Sequence, residues 1–114
     1  MTPEEIEFKA KVVQNILKNN AEKALELLAI HHDVNTPRLE VGLPKGHVSA
    51  AGCYVSGTRT IYTKDSDGLS NPFIILHEFY HHLRMVDGKH KGTEKLADKF
   101  ARDYLDAYRS CLGV

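Results

Sequence analysis

The chain has no tryptophan, two cysteines and two methionines in 114 residues, and no excess of charge of either sign. Each shortage closes off a class of explanation. Cys53 and Cys111 alone cannot build the disulfide framework that staples small secreted domains. Fifteen Lys plus Arg balance fifteen Asp plus Glu, so the basic excess expected of a small nucleic-acid binder is missing. No apolar run approaches the roughly 20 residues that span a bilayer, and the start has no apolar signal-peptide core. These readings imply a cytosolic chain with no nucleic-acid and no membrane partner. A 42% hydrophobic and 26% charged composition suits one small domain, residues 1–114, with a single core. What the chain has in quantity is histidine: there are seven, most of them in the pair His31–His32 or between His77 and His90.

Hydrophobic spacing divides the chain into a helical start, a strand-rich middle and a helical end. Thr2-Pro3-Glu4-Glu5 supplies a cap, a first-turn proline and an acidic first turn. Apolar residues then recur at helical spacing, as one helix or as two joined near Asn19–Asn20, ending near His31–Asp33. Arg38–Val41 alternates like a short strand, and His47–Val55 is a second β-tolerant run. Thr58–Thr63, rich in β-branched and aromatic residues, is the third, with Ser56–Gly57 as a hairpin turn. Asp65–Gly68 lacks the closing Glu of a calcium loop and reads as an exposed turn. Asn71-Pro72 opens a helix with the stripe Leu76, Phe79, Leu83 and Val86, ending at Asp87–Gly88. Thr93 caps a last helix with the stripe Ala97, Phe100, Ala101, Tyr104 and Tyr108, and residues 110–114 fray. The expected class is α+β: an N-terminal helix or helix pair, a sheet of about three strands, and two C-terminal helices.

His77-Glu78-Phe79-Tyr80-His81 is an H-E-x-x-H motif on an expected helix. Residues four apart share a helix face about 6 Å apart along the axis, so two imidazoles can converge on one zinc ion. Glu78, one residue beyond the first ligand, stands where a base would take a proton from zinc-bound water. A catalytic zinc site needs a third protein ligand and an open position. His82, Asp87, His90 and Glu94 are the candidates. His82 points about 100° away from His81 around the helix and reads as a surface or packing residue. Glu94 is favoured by its partner Asp98, four residues on and on the same face: one carboxylate can ligate while the other holds the outer nitrogen of a ligating histidine.

H-E-x-x-H followed on the next helix by E-x-x-x-D resembles the gluzincin metallopeptidases. The short spacer resembles their minimal members, and Glu94-Lys95-Leu96-Ala97-Asp98-Lys99-Phe100-Ala101 resembles the last helix of small peptidases that accompany phage-type repressors. The resemblance covers residues 71–108. It implies one zinc ion on His77, His81 and Glu94, Glu78 as general base and acid, and Asp98 holding His77. It also implies that Thr58, Arg59, Thr60, Ile61 and Tyr62, in the strand above the zinc, take an extended peptide substrate through main-chain hydrogen bonds.

Larger gluzincins carry a further subdomain that supplies a Tyr or His to the oxyanion, whereas this sequence runs only a little past the glutamate helix. His90 is the nearest substitute in sequence, with Tyr62, Tyr80 and Tyr104 behind it. The expected function is a zinc-dependent endopeptidase acting on peptide or protein substrates. The alternative is a zinc-bearing regulatory or binding module with little turnover. Latency is the remaining expectation, with Cys111 as an inhibitory zinc ligand. A helix running to Tyr108 carries its end roughly 21 Å from Glu94, and the three residues to Cys111 reach back only about 10 Å. Cys111 would therefore have to come from a second copy in a homodimer.

Overall fold

The computed structural model describes residues 1–47, 50–87 and 91–113. Among them the chain folds as α+β, as expected from the hydrophobic spacing. Two helices, α1 (Pro3–Leu17) and α2 (Ala21–His32), precede the strands β1 (Arg38–Val41), β2 (Gly52–Val55) and β3 (Thr60–Thr63). A 3-10 turn at Ser66–Ser70 leads into α3 (Pro72–Arg84) and α4 (Lys91–Leu112). No helix among the described residues is long and apolar enough to cross a membrane.

Local chemistry sets most of the boundaries. The Thr2 side chain accepts from the Glu5 N–H at the start of α1, and Asn71 accepts from Ile74 N–H at 3.3 Å with Pro72 behind it at the start of α3. The N-terminal pattern resolves into two helices because Asn19 turns left-handed (φ 63°) between them. Met85 (φ 55°) does the same after α3, its N–H capping the carbonyls of His81 and His82. The helix therefore stops before Val86, which the stripe had included. Lys91 and Gly92 are already helical, so Thr93 sits inside α4 rather than at its cap.

The core gathers Val12, Val13 and Ile16 of α1, Ala24, Leu25 and Leu28 of α2, Ile75, Leu76 and Phe79 of α3, and Ala101 and Tyr104 of α4. Tyr54 and Ile61 join it from the sheet. Committing Ile75, Leu76 and Phe79 to this core leaves His77, Glu78 and His81 on the flank of α3 that meets α4 and β2.

The strand order is β1-β3-β2, with β1 parallel and β2 antiparallel to β3. The best strand in the sequence is thus the central one, and it is shorter than expected. Thr58 and Arg59 belong to the turn, where Arg59 takes φ 51°. Thr60, Ile61 and Tyr62 are paired on both sides, to Arg38, Leu39 and Glu40 and to Val55, Tyr54 and Cys53. No edge of β3 is left at these residues, so Thr60, Ile61 and Tyr62 cannot take a peptide by strand addition, and Thr58 and Arg59 lie outside the strand. The sheet edge beside α3 is β2. Its Gly52 is required by close approach: a Cβ there would lie 2.8 Å from Ile74 Cγ2 and 3.0 Å from the Tyr62 carbonyl.

Candidate metal centre

Packing of α4 against α3 brings Glu94 and Asp98 onto the histidine face of α3. The Asp98 Oδ1 lies 2.9 Å from His77 Nδ1, and the two oxygens of Glu94 reach His77 Nε2 at 3.2 Å and His81 Nε2 at 2.7 Å. The two Nε2 atoms are 3.3 Å apart. Three ligands held 2.0–2.1 Å from a tetrahedral ion stand about 3.3–3.4 Å from one another, so these separations suit a metal with little rearrangement. His77, Glu78 and His81 also present ligand atoms within 4.8 Å of one another, a group able to hold a metal ion. Between the two glutamates Glu94 is the better third ligand, because its oxygens meet both Nε2 atoms directly.

The proton arrangement at His77 is compatible with a cation at this point. A neutral His77 that donates Nδ1–H to Asp98 turns the Nε2 lone pair toward Glu94 Oε2. Two electron-rich atoms at 3.2 Å require a cation between them, either a proton or a metal ion. His81, 1% exposed, is held below the usual histidine range by burial, against the opposing pull of Glu94. A buried neutral imidazole is ready to ligate. Its Nδ1 has no hydrogen-bond partner among the described residues, so Asp98 serves one histidine and no such group serves the other.

Glu78 is 7% exposed, and its carboxyl is pushed up to about 8, first by burial and then by the charge of Glu94. Its protein surroundings therefore favour the protonated acid. A bound divalent cation reverses that preference by favouring the carboxylate.

The group lies in an open cleft of about 770 Å³. Phe73 and Ile74 of α3 form one wall, and Ala50, Ala51, Gly52 and Cys53 bring the β2 edge to the other. Lys45, Gly46 and His47 close one side, and Asp87, which accepts from the Ser56 N–H at 2.7 Å, also lines it. The Cys53 thiol is pushed up to about 11, chiefly by burial, so its surroundings favour the protonated thiol.

The remaining expected site residues fall elsewhere. His90 lies outside the described residues. Tyr62, Tyr80 and Tyr104 do not line the cleft. His82 is buried as a packing residue, bonded to the Tyr54 hydroxyl at 2.8 Å and the Asn35 carbonyl at 2.7 Å. Cys111 is helical and exposed, since α4 runs on to Leu112 instead of fraying. The seventeen residues from Glu94 to Cys111 span about 25 Å of helix, so the thiol cannot reach its own metal site. The residues missed in the sequence are Lys45 and His47, which stand alone between strands with no motif around them. Comparison with protein-family models, with curated proteins and with solved structures gives no match to this chain.

Proposed function

We propose that the chain is a zinc-dependent endopeptidase of the minimal gluzincin type, using His77, His81 and Glu94 as ligands. The observation that carries the reading is the meeting of both Nε2 atoms and the Glu94 carboxylate on the floor of an open cleft, with Glu78 buried beside them. A structural zinc site would close with a fourth protein ligand and have no use for Glu78.

Zinc held there supplies Lewis acidity that polarises a peptide carbonyl and acidifies water. Glu78 takes a proton from the attacking water as its oxygen bonds to the carbonyl carbon. It then returns the proton to the amine nitrogen as the C–N bond breaks. Asp98 holds His77 in the tautomer that presents Nε2. The β2 edge, in the place expected for residues 58–62, takes an extended peptide through its backbone groups. The two free thiols, one of them buried, accord with a reducing compartment, and the reading places the chain in the cytosol.

A zinc module with little turnover is the second reading. It is favoured by the lack of any tyrosine donor among the described cleft residues. Metal analysis and a protease assay on one preparation decide between them. Wild type is expected to bind one zinc and cleave an unfolded protein, while Glu78→Gln binds zinc and does not cleave. Equal, background-level rates in both would leave only the module.

A further inference from the structure

An oxyanion formed in this cleft needs a hydrogen-bond donor, and none of the tyrosines lines the cleft. Tyr104 is buried in the core with Lys9 over its ring, Tyr62 lies in the central strand, and the Tyr80 hydroxyl accepts from Arg84 Nε at 3.1 Å. Apart from His77 and His81, only Lys45 and His47 carry side-chain nitrogen donors among the described cleft residues.

These two sit on a shaped turn, Pro44-Lys45-Gly46-His47. The His47 N–H donates to the Pro44 carbonyl at 3.2 Å, and Gly46 takes φ 94°. That is a type II turn, whose third residue needs positive φ. A Cβ on Gly46 would meet nothing within 4 Å, so glycine is needed there for its backbone and not for space. The Ala50 N–H then donates to the His47 carbonyl at 3.3 Å, tying the turn to the segment that enters β2. The turn thus sets where His47 leaves the chain, on the wall of the same cleft as the strand edge that would hold the peptide. His47 is half-buried, and no described group engages its ring nitrogens.

We propose that His47 is a catalytic residue that donates an imidazole N–H to the substrate oxyanion. The inference rests on the peptidase reading above. As the water oxygen bonds to the carbonyl carbon, the C=O electron pair moves onto oxygen. The His47 N–H stabilises that charge without transferring its proton, and the pair returns as the C–N bond breaks. His47 suits this better than Lys45, whose exposed, strongly hydrated ammonium rides on a flexible stem. The donor on this reading comes from a turn ahead of the two helices that carry the ligands.

The test uses the zinc-loaded chain with wild type, Glu78→Gln, His47→Ala, His47→Gln and Lys45→Ala. The probes are an unfolded protein substrate, a phosphinic peptide that carries a tetrahedral anion, and a product peptide. His47→Ala is expected to lower kcat by about 10²–10³-fold with zinc content, KM and melting temperature unchanged. His47→Gln, which keeps a neutral donor, recovers part of the loss. The phosphinic peptide binds His47→Ala roughly 10–100-fold more weakly, as for one hydrogen bond to a charged group, while the product peptide binds equally. Unchanged kcat and unchanged phosphinic affinity in His47→Ala overturn the proposal, as does a loss that appears in Lys45→Ala instead. Where wild type binds zinc but cleaves no faster than Glu78→Gln, the peptidase reading falls and the catalytic role of His47 with it, whereas an active wild type matched by His47→Ala overturns the proposal alone. A chain that takes up no zinc overturns both.

Discussion

His77 and His81 face carboxylates, whereas His31 and His32 face rings. The His31 ring stacks on Phe8 with centroids 4.1 Å apart, and His32 stands edge-on to Phe100 at 5.9 Å and tilted to Phe79 at 5.8 Å. Burial beside like-charged His31 and Lys9 holds His32 below the usual histidine range, burial contributing most. The pairs differ first in spacing. Neighbours in sequence diverge by about 100° around a helix and cannot share an ion, while residues four apart lie on one face. They differ next in what the facing helix presents: α4 brings Glu94 and Asp98 to one pair and Phe100 to the other. The same side chain becomes a candidate metal ligand or an aromatic packing unit according to the residue across from it.

Substitution sharpens the contrast. His77→Ala, His81→Ala and Glu94→Ala should each weaken zinc binding by more than the roughly 10–100-fold that loss of an outer partner costs. His31→Gln and His32→Gln should leave it unchanged. Competition titration with a chelator measures both sets. Full zinc affinity in Glu94→Ala would move the third ligand elsewhere and dissolve the carboxylate side of the comparison.

Glu78 gives the next effect, read in the metal-free protein. Its folded pKa is raised from 4.5 to about 8, so its favourable contribution is complete below about 4.5 and is lost as pH rises through 8. Glutamine cannot ionise. Glu78→Gln should therefore gain stability relative to wild type between pH 5 and pH 9, by roughly 3 kcal/mol after allowing for relaxation around the charge. Chemical denaturation of the chelator-treated proteins at both pH values measures the difference. A gap independent of pH would show that the carboxyl is better solvated than its burial implies. Zinc should abolish the trend, because a cation beside Glu78 favours its charged form.

How much of this was legible in the sequence depends on whether a residue's partner was set by a local period. His77 and His81 and the carboxylate pair obey the helical repeat, so their faces could be read directly, and Asn71-Pro72 announced the helix that carries the histidines. The sheet order could not be read that way. Strand propensity marks Thr58–Thr63 as the strongest strand, and burial between two neighbours is the physical reason for that composition in its observed part, Thr60–Thr63, but composition alone does not separate a central strand from an edge. His47 was invisible because its position depends on a turn and on the β2 edge folding back over α3, neither of which has a period. Met85 in a left-handed cap likewise ended α3 without the glycine that normally signals it.

Asp98→Asn tests the outer partner of the first pair. The amide can still accept from His77 Nδ1–H at 2.9 Å but brings no charge. Zinc affinity should fall by about 10–100-fold with the fold intact. Because His81 Nδ1 has no counterpart to Asp98 among the described residues, the loss should be carried by His77 alone. In the Asp98→Asn background, His77→Ala should then cost less than it does in wild type. A full, additive cost would mean that Asp98 acts on the metal through its charge and not through His77.

Cys111 marks the far end of the helix that carries Glu94, and here the smallest effect is expected. It is exposed, and it stands about 25 Å along α4 from the metal ligand, beyond any reach within one chain. In dilute protein Cys111→Ala should change stability by no more than about 0.5 kcal/mol, as for an ordinary surface site, and leave zinc content and specific activity as they are. Concentration separates the two ways in which the thiol could still matter. A second copy that lays its own Cys111 in the cleft makes wild-type activity per molecule fall as protein concentration rises. The alanine variant then keeps a flat profile, and sedimentation shows dimers over the same range. Parallel profiles for the two proteins would show that the thiol plays no part in latency. A decline shared by both, with dimers present, would place the blocking contact on the dimer surface itself.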